Sequence, residues 1–327
     1  MTDYRPQNRA VRMEYLAQYY YWSLKYYDCD PALFMLNYIH DRMELNIEQR
    51  YWIAWLYGNT YHLPTAWVIA NEFPDFENVD QDRLEKWNAE NYKRLRYQSD
   101  QKWQKGHLPK MFASYKENIA PHGSQEAFFK HICTHADPEQ NFGGIYDHIV
   151  KHFYKFGRYS AWFYIQTLKE TCGLNVAAPS LLLHEDNTHA QRAGLLYALG
   201  RDEAAQDKKG YKDKLLVVEL EAVAKEFLSK FTRRYPDVRA DMFSLETTLC
   251  AFKKTFREKN GRYLGYYLDR QRDDIVNVEC DGWGGIDWSL LWAARRETLP
   301  TKADRDTGVD KSLMAHFLAT GEPAKIF

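Results

Sequence analysis

The stretch KNGRYLGYYLDRQRDDI, residues 259–275, holds four Arg or Lys, three Tyr and three Asp. The formal net charge of the chain is −1, so solubility does not require such a basic, aromatic run. On a helix, Arg262, Tyr266 and Arg270 stand four apart and share a face. Tyr263, Tyr267 and Arg270 make an overlapping stripe, and Asp269 and Asp273 form another pair four apart. The preceding segment adds Glu246, Lys253, Lys254 and Arg257. Two such helices side by side would offer several cations, several phenols and at least two carboxylates. That inventory can neutralise a phosphate, hold a flat ring and move a proton. The plainer reading is an amphipathic helix with Tyr in the core and solvated Arg paired to Asp.

Three further stretches carry chemistry-bearing residues. In KHFYKFGRYSAWFY, residues 151–164, Gly157 interrupts two helical patterns, so Lys155 and Arg158 flank a turn that opens a helix. Backbone N–H groups at a helix start, with Lys and Arg beside them, suit an anion. The turn resembles that of a helix-hairpin-helix, without that motif's second Gly; a helix corner packed by aromatics is the plainer account. In HEDNTHAQRAGLLYALGRDE, residues 184–203, His184 and His189 are five apart with Glu185 and Asp186 between them. The i, i+4 His spacing of metalloproteases is absent, no metal is expected, and Asp186 reads better as a helix N-cap. In IEQRYWIAWLYGNTYHLPTAW, residues 47–67, Gln49, Arg50, Tyr57, Asn59, Tyr61 and His62 cluster at a helix end. Residues 57–62 read as a polar aromatic loop of the kind that edges ligand sites.

The elements that must position these residues are helical. Leu33, Leu36, Ile39 and Met43 recur at three- and four-residue steps after Pro31. Ile47, Trp52, Trp55 and Leu56 predict a second helix ended by Gly58 and Asn59. Pro64 opens a third. Trp162, Ile165, Leu168 and Cys172 mark another, stopped by Gly173, and Asp186 and Asn187 precede one over 190–199 that Gly200 stops. Helical patterns follow at 211–235, 241–258 and 262–277. The run 181–183 suits helix or strand, and 136–145 and 298–312 are expected to be irregular. No linker or repeat divides the chain. The expected architecture is a single all-α catalytic domain over 1–327, with 1–30 a helical extension and 298–327 a tail.

Composition narrows the function classes. The chain has 327 residues, 45% hydrophobic and 27% charged, enough for a sizeable core. Aromatic residues reach 16%, with 24 Tyr, 17 Phe and 10 Trp; much of that must be core, and Tyr and Trp are also the residues that stack on flat ligands and bases. Near-zero net charge means that any polyanion must meet a local basic face. Five scattered Cys without a CxxC pair argue against zinc ribbons, iron–sulfur sites and disulfide scaffolds. No signal-peptide pattern or membrane-length apolar run is present, so a soluble protein of a reducing compartment is expected. A Walker loop, GxGxxG, GxSxG and the zinc-deaminase signature are all absent.

Four stretches, EQRYWIAWLYGNTYHLPT, FYKFGRYSAWFYIQTLKE, HEDNTHAQRAGLLYALGRDE and LETTLCAFKKTFREKNGRYLGYYLDR, together resemble a known family. In that order they resemble the bacteriophage α-glutamyl/putrescinyl thymine pyrophosphorylases, also called amino acid:DNA transferases, over roughly residues 30–275. The resemblance implies the all-α fold of helix-hairpin-helix DNA glycosylases. It also implies a substrate: double-stranded DNA carrying phosphorylated or pyrophosphorylated 5-hydroxymethyl-uracil. An amine from an amino acid such as glycine or glutamate, or from a polyamine such as putrescine, displaces the phosphate. No cofactor is expected, and the place of action is the cytoplasm of the infected host.

Roles follow from that implication. Lys155 and Arg158 bind the leaving phosphate or flanking DNA backbone, and Lys253, Lys254, Arg262 and Arg270 do so from the other wall. Tyr263, Tyr267 and Tyr57 stack on the flipped base. Glu246 or Asp269 deprotonates the amine, with Asp186 a further candidate, and Cys250 either adds transiently to the ring or is a small buried hydrophobe. Two rivals stay open: a DNA glycosylase, and a non-catalytic DNA-binding module of a modification complex.

Overall fold

The structure is a computed structural model and describes residues 9–98, 101–207, 213–256 and 267–300. Every regular element among these residues is helical. In chain order the α-helices are α1 (Arg12–Lys25), α2 (Pro31–Arg42), α3 (Ile47–Thr60), α4 (Leu63–Glu72) and α5 (Gln81–Asn91). Then come α6 (Leu108–Ile119), α7 (Gln125–Ile132), α8 (Pro138–His152), α9 (Arg158–Cys172) and α10 (His189–Ala198). The last are α11 (Asp202–Gln206), α12 (Lys214–Arg234), α13 (Met242–Lys254), α14 (Tyr267–Cys280) and α15 (Ser289–Thr298). The all-α expectation therefore holds. No helix among the described residues is long and apolar enough to cross a membrane.

The chain divides into two compact units. The first comprises Met1–Pro31, Ala178–Arg270 and Leu299–Phe327; the second comprises Ala32–Ala177 and Gln271–Thr298. In the first, α10 and α1 pack on α13 and on each other, and α12 packs on α10. Tyr20 of α1 sets its ring 4.5 Å from that of Phe231 on α12 and its hydroxyl 2.6 Å from Ser244 on α13. Gly194 lets α10 close on α13, because a Cβ there would sit 2.6 Å from the Leu249 carbonyl oxygen.

In the second unit α3 lies against α9. Trp52 and Trp55 stack with centroids 5.3 Å apart, and Trp55 stacks on Tyr115 at 5.1 Å, so the excess of aromatics goes largely into this core. Such pairs add about 1 kcal/mol each beyond the area they bury.

Helix starts and stops match the sequence where a specific residue sets them. Pro64 sits in the first turn of α4, and Gly173 and Gly200 take φ of +71° and +73° after α9 and α10. Three expectations need correction. Gly58 and Asn59 do not end α3, which runs on to Thr60; a Cβ at Gly58 would lie 2.7 Å from the Cβ of Tyr164, so the glycine serves helix contact rather than termination. The segment 136–145 is helical from Pro138, because Asp137 caps the Glu139 N–H and Pro138 fits a first turn. Asp186 does not cap α10. Thr188 precedes that helix, with its hydroxyl given to the Leu183 and Glu185 carbonyls. The run 181–183 is neither helix nor strand; the Leu181 and Leu183 N–H groups both donate to the Glu221 carboxylate on α12.

Candidate functional site

In the first unit the candidate site is built on α13. A capping box between Asp241 and Ser244 fixes where this helix begins. Glu246 follows in the second turn, 1% exposed, where its carboxylate accepts from the Gln191 amide of α10 at 2.6 Å. At the other end of α13, Lys253 and Lys254 stand beside the last carbonyls, the favourable end of the helix for a cation. The Lys254 ammonium lies 3.4 Å from the Tyr267 hydroxyl at the start of α14 and 5.5 Å from its ring centre. Arg270 is one turn further along α14 and half-buried. The first unit thus joins Lys254 to Tyr267 directly and carries Glu246, Lys253 and Arg270 on the same two helices. Arg262 and Tyr263, and the side chain of Asp269, lie outside the described residues.

Two buried carboxylates near this site are absent from the sequence reading. Residues 27–30 form a turn in which Tyr27 and Asp30 take left-handed φ of +57° and +52°. Asp28 and Asp30 are 1% and 7% exposed. Asp30 accepts from the Thr247 hydroxyl of α13 at 2.9 Å, and Asp28 accepts from the Leu268 N–H at 3.0 Å, so it helps start α14. Between them, the Cys29 thiol is pushed well above its ordinary pKa, by burial first and by Asp30 second, and stays protonated. A DxDP run before a helix reads as ordinary capping, so nothing in the sequence distinguishes these acids.

Asp186 is exposed, and no described contact joins it to the other candidates. Cys250 is half-buried on α13. His184 and His189 are exposed, and His184 lies 3.5 Å from Glu185. Among the described residues no group of three or more His, Cys, Asp and Glu is arranged to hold a metal ion.

The second unit carries the remaining candidates. Gly157 sits at the N-cap of α9, with Lys155 (φ +61°) and Arg158 on either side of the turn. Lys155 is half-exposed, with its ammonium 5.7 Å from the ring centre of Tyr154. Arg158 is only 5% exposed and lies over Trp162 one turn on, 4.7 Å from the ring centre. Tyr57 is 4% exposed and packs on Tyr61. Residues 57–60, expected in a ligand-edging loop, are instead the buried last turn of α3, and His62 follows just after it. Its Nδ1 accepts from the Thr65 N–H to cap α4, and its Nε2 lies 3.4 Å from Asp274. Nδ1 is thereby an acceptor, so the ring proton sits on Nε2, facing that carboxylate. Nothing in the sequence marks His62 and Asp274 as neighbours.

The sequence profile of the amino acid:DNA transferases matches residues 27–260. The chain belongs to the amino acid:DNA transferase family. This transferase is also similar to the serinyltransferase of Salmonella phage ViI, 28% identical over 305 residues, covering 86% of this chain and 72% of the relative. The family match opens at Tyr27, the first residue of the left-handed turn that buries Asp28 and Asp30, and it runs through all of α13. An enzyme that moves an amino acid onto DNA needs a polyanion surface, a pocket for a base and a group that takes a proton from an amine. The first unit supplies a carboxylate, a phenol and ammonium groups on α13 and α14.

Proposed function

We propose that this transferase hypermodifies thymine in phage DNA. Its substrate is 5-hydroxymethyl-uracil whose hydroxymethyl oxygen carries phosphate or pyrophosphate. The C–O bond to the leaving group breaks, and the phosphate departs with the electron pair. The amine nitrogen then bonds to the exocyclic carbon and loses a proton. Lys254, Arg270 and Arg262 neutralise the leaving phosphate, Tyr267 and Tyr263 hold the flipped ring, and Glu246 or Asp269 takes the proton. The observation that carries this reading is the Lys254–Tyr267 contact, a cation and a phenol held together at the end of the helix that carries Glu246.

The donor is proposed to be an amino acid, with serine first because the phage ViI relative is a serinyltransferase. The family match runs through both units, which supports treating the whole chain as one catalytic domain. The Gly157 turn supports a kinship with helix-hairpin-helix glycosylases, and the proposed place of action is the cytoplasm of the infected host.

The test is incubation with DNA bearing 5-phosphomethyl- or 5-pyrophosphomethyl-deoxyuridine and serine, glycine, glutamate or putrescine, followed by nucleoside mass spectrometry. A serine adduct with release of phosphate or pyrophosphate is expected. Abasic sites in place of an adduct would make the protein a glycosylase, and DNA binding without either product would make it a binding module.

A further inference from the structure

Beside Lys155, the second unit carries three lysines to which no role is assigned above. The 3-10 helix Lys102–His107 places Lys102 and Lys105 one three-residue turn apart, on one face. Lys110 follows in the first turn of α6. Lys102 and Lys110 are exposed and Lys105 is half-exposed. Among the described residues no carboxylate forms an ion pair with any of the three. The surface is built rather than accidental. Gln104 donates to the Lys155 carbonyl at 3.4 Å and to the Ser160 hydroxyl at 3.0 Å, which ties the 3-10 helix to the turn that opens α9. Ser114 accepts from the Tyr154 N–H and donates to the His152 carbonyl, which fixes that turn from the α6 side.

Tyr154 is 39% exposed, with the His107 ring centre 6.3 Å from its own and the Lys155 ammonium 5.7 Å from its ring centre. Gly157 leaves open space where a side chain would stand, above the first N–H groups of α9. Lys105 is lowered from its ordinary pKa by burial first and Arg96 second, and His107 by burial, then Lys155 and Lys110. The acid that Lys105 does feel, Asp281, is already held by Arg96 through two hydrogen bonds of 2.5 and 2.8 Å.

We propose that Lys102, Lys105 and Lys110, with Lys155 and the exposed Tyr154 ring, form the surface with which the second unit grips the sugar-phosphate backbone of duplex DNA. Lys102, Lys105 and Lys110, which form no ion pair with a described carboxylate, gain from a polyanion because each phosphate they neutralise releases a counterion. Tyr154 adds a flat face that needs no sequence. The proposal rests on the reading of DNA as the substrate, and it concerns affinity for any duplex rather than the chemistry of the modified base.

Unmodified duplex therefore separates the two ideas. Binding is measured by fluorescence anisotropy across a salt series for the full chain, for Lys102→Glu/Lys110→Glu, and for the control Lys214→Glu/Lys225→Glu on exposed α12 positions of the first unit. Removing two phosphate contacts should flatten the slope of log affinity against log salt by roughly 2, with affinity about tenfold or more lower at about 0.1 M salt. The control should keep the wild-type slope. Tyr154→Ala should lower affinity with the slope unchanged. A Lys102→Glu/Lys110→Glu protein that binds with wild-type affinity and slope overturns the proposal, as does a wild-type protein that fails to bind duplex at low salt. If these lysines govern duplex binding while no nucleoside adduct forms, the surface stands and the thymine reading falls.

Discussion

The Lys254 ammonium and the Tyr267 hydroxyl lie 3.4 Å apart, with the same ammonium 5.5 Å from the centre of the Tyr267 ring. Ring and hydroxyl can be tested separately. If the ring stacks on the flipped base, Tyr267→Phe should retain most affinity for modified DNA, while Tyr267→Ala should lose on the order of tenfold or more. Equal losses in both variants would move the role from the ring face to the hydroxyl and its lysine.

Glu246 is buried and held by Gln191, so Glu246→Gln keeps the hydrogen bond and the shape while removing the base. Turnover should fall by about 100-fold or more. Raising the pH should restore part of it, because more of the free amine is then unprotonated. Wild-type turnover in a folded Glu246→Gln protein would leave Glu246 a structural group and pass the role to Asp269.

Arg270→Ala should reduce turnover on the order of 100-fold with little change in duplex affinity, since a leaving-group contact strengthens as charge develops. Arg270→Lys should recover it only partly, because a point charge does not reproduce a guanidinium fork. Near-wild-type turnover in Arg270→Ala would return the residue to a solvated helix face.

Gly58→Ala and Gly194→Ala are expected to destabilise by about 1–3 kcal/mol each through overpacking. The new Cβ would lie 2.7 Å from the Cβ of Tyr164 in one case and 2.6 Å from the Leu249 carbonyl oxygen in the other. Urea midpoints measure both. An unchanged midpoint for either would show that its helix pair separates freely.

His40 is fully buried, and its pKa is pushed down to about 4 by burial first and by the Arg50 charge second. An unfolded histidine titrates near 6.5, so between these values the unfolded chain holds the extra proton. Stability from this group is complete above about pH 6.5 and is lost as pH falls toward 4, roughly 2 kcal/mol of it between pH 7 and pH 5. His40→Leu should flatten the fall in urea midpoint over that interval. An equally steep fall in the variant would assign acid sensitivity to other groups.

Some helix ends are legible because a local rule controls them. Pro64, Gly173 and Gly200 mark helix ends because their backbone preferences act within a turn of themselves. Gly58 misled because a glycine that stops a helix and one that admits a neighbouring helix look alike without Tyr164 in view. Residues 136–145 were expected to be irregular, and the Asp137-Pro138 helix start governs them instead. At the candidate site, the charges of α13 and α14 were legible from their spacing. Asp28, Asp30 and the His62–Asp274 pair were not, since each gains its meaning from residues far along the chain. The division into units was equally hidden, because both units are assembled from separated segments rather than delimited by a linker.

That assembly sets an order of events during synthesis. Tyr20 finds Ser244 only after 224 further residues, and Asp28 finds Leu268 only after 240. Helices α3 and α9, by contrast, leave the ribosome within a continuous stretch and can pack while translation continues. The turn that buries Asp28, Cys29 and Asp30 must therefore wait, with its acids in water, until α13 and the start of α14 have been made. The proposed catalytic helices are among the last parts of their unit to arrive, so a nascent chain can bury the aromatic core of its second unit before the candidate site exists.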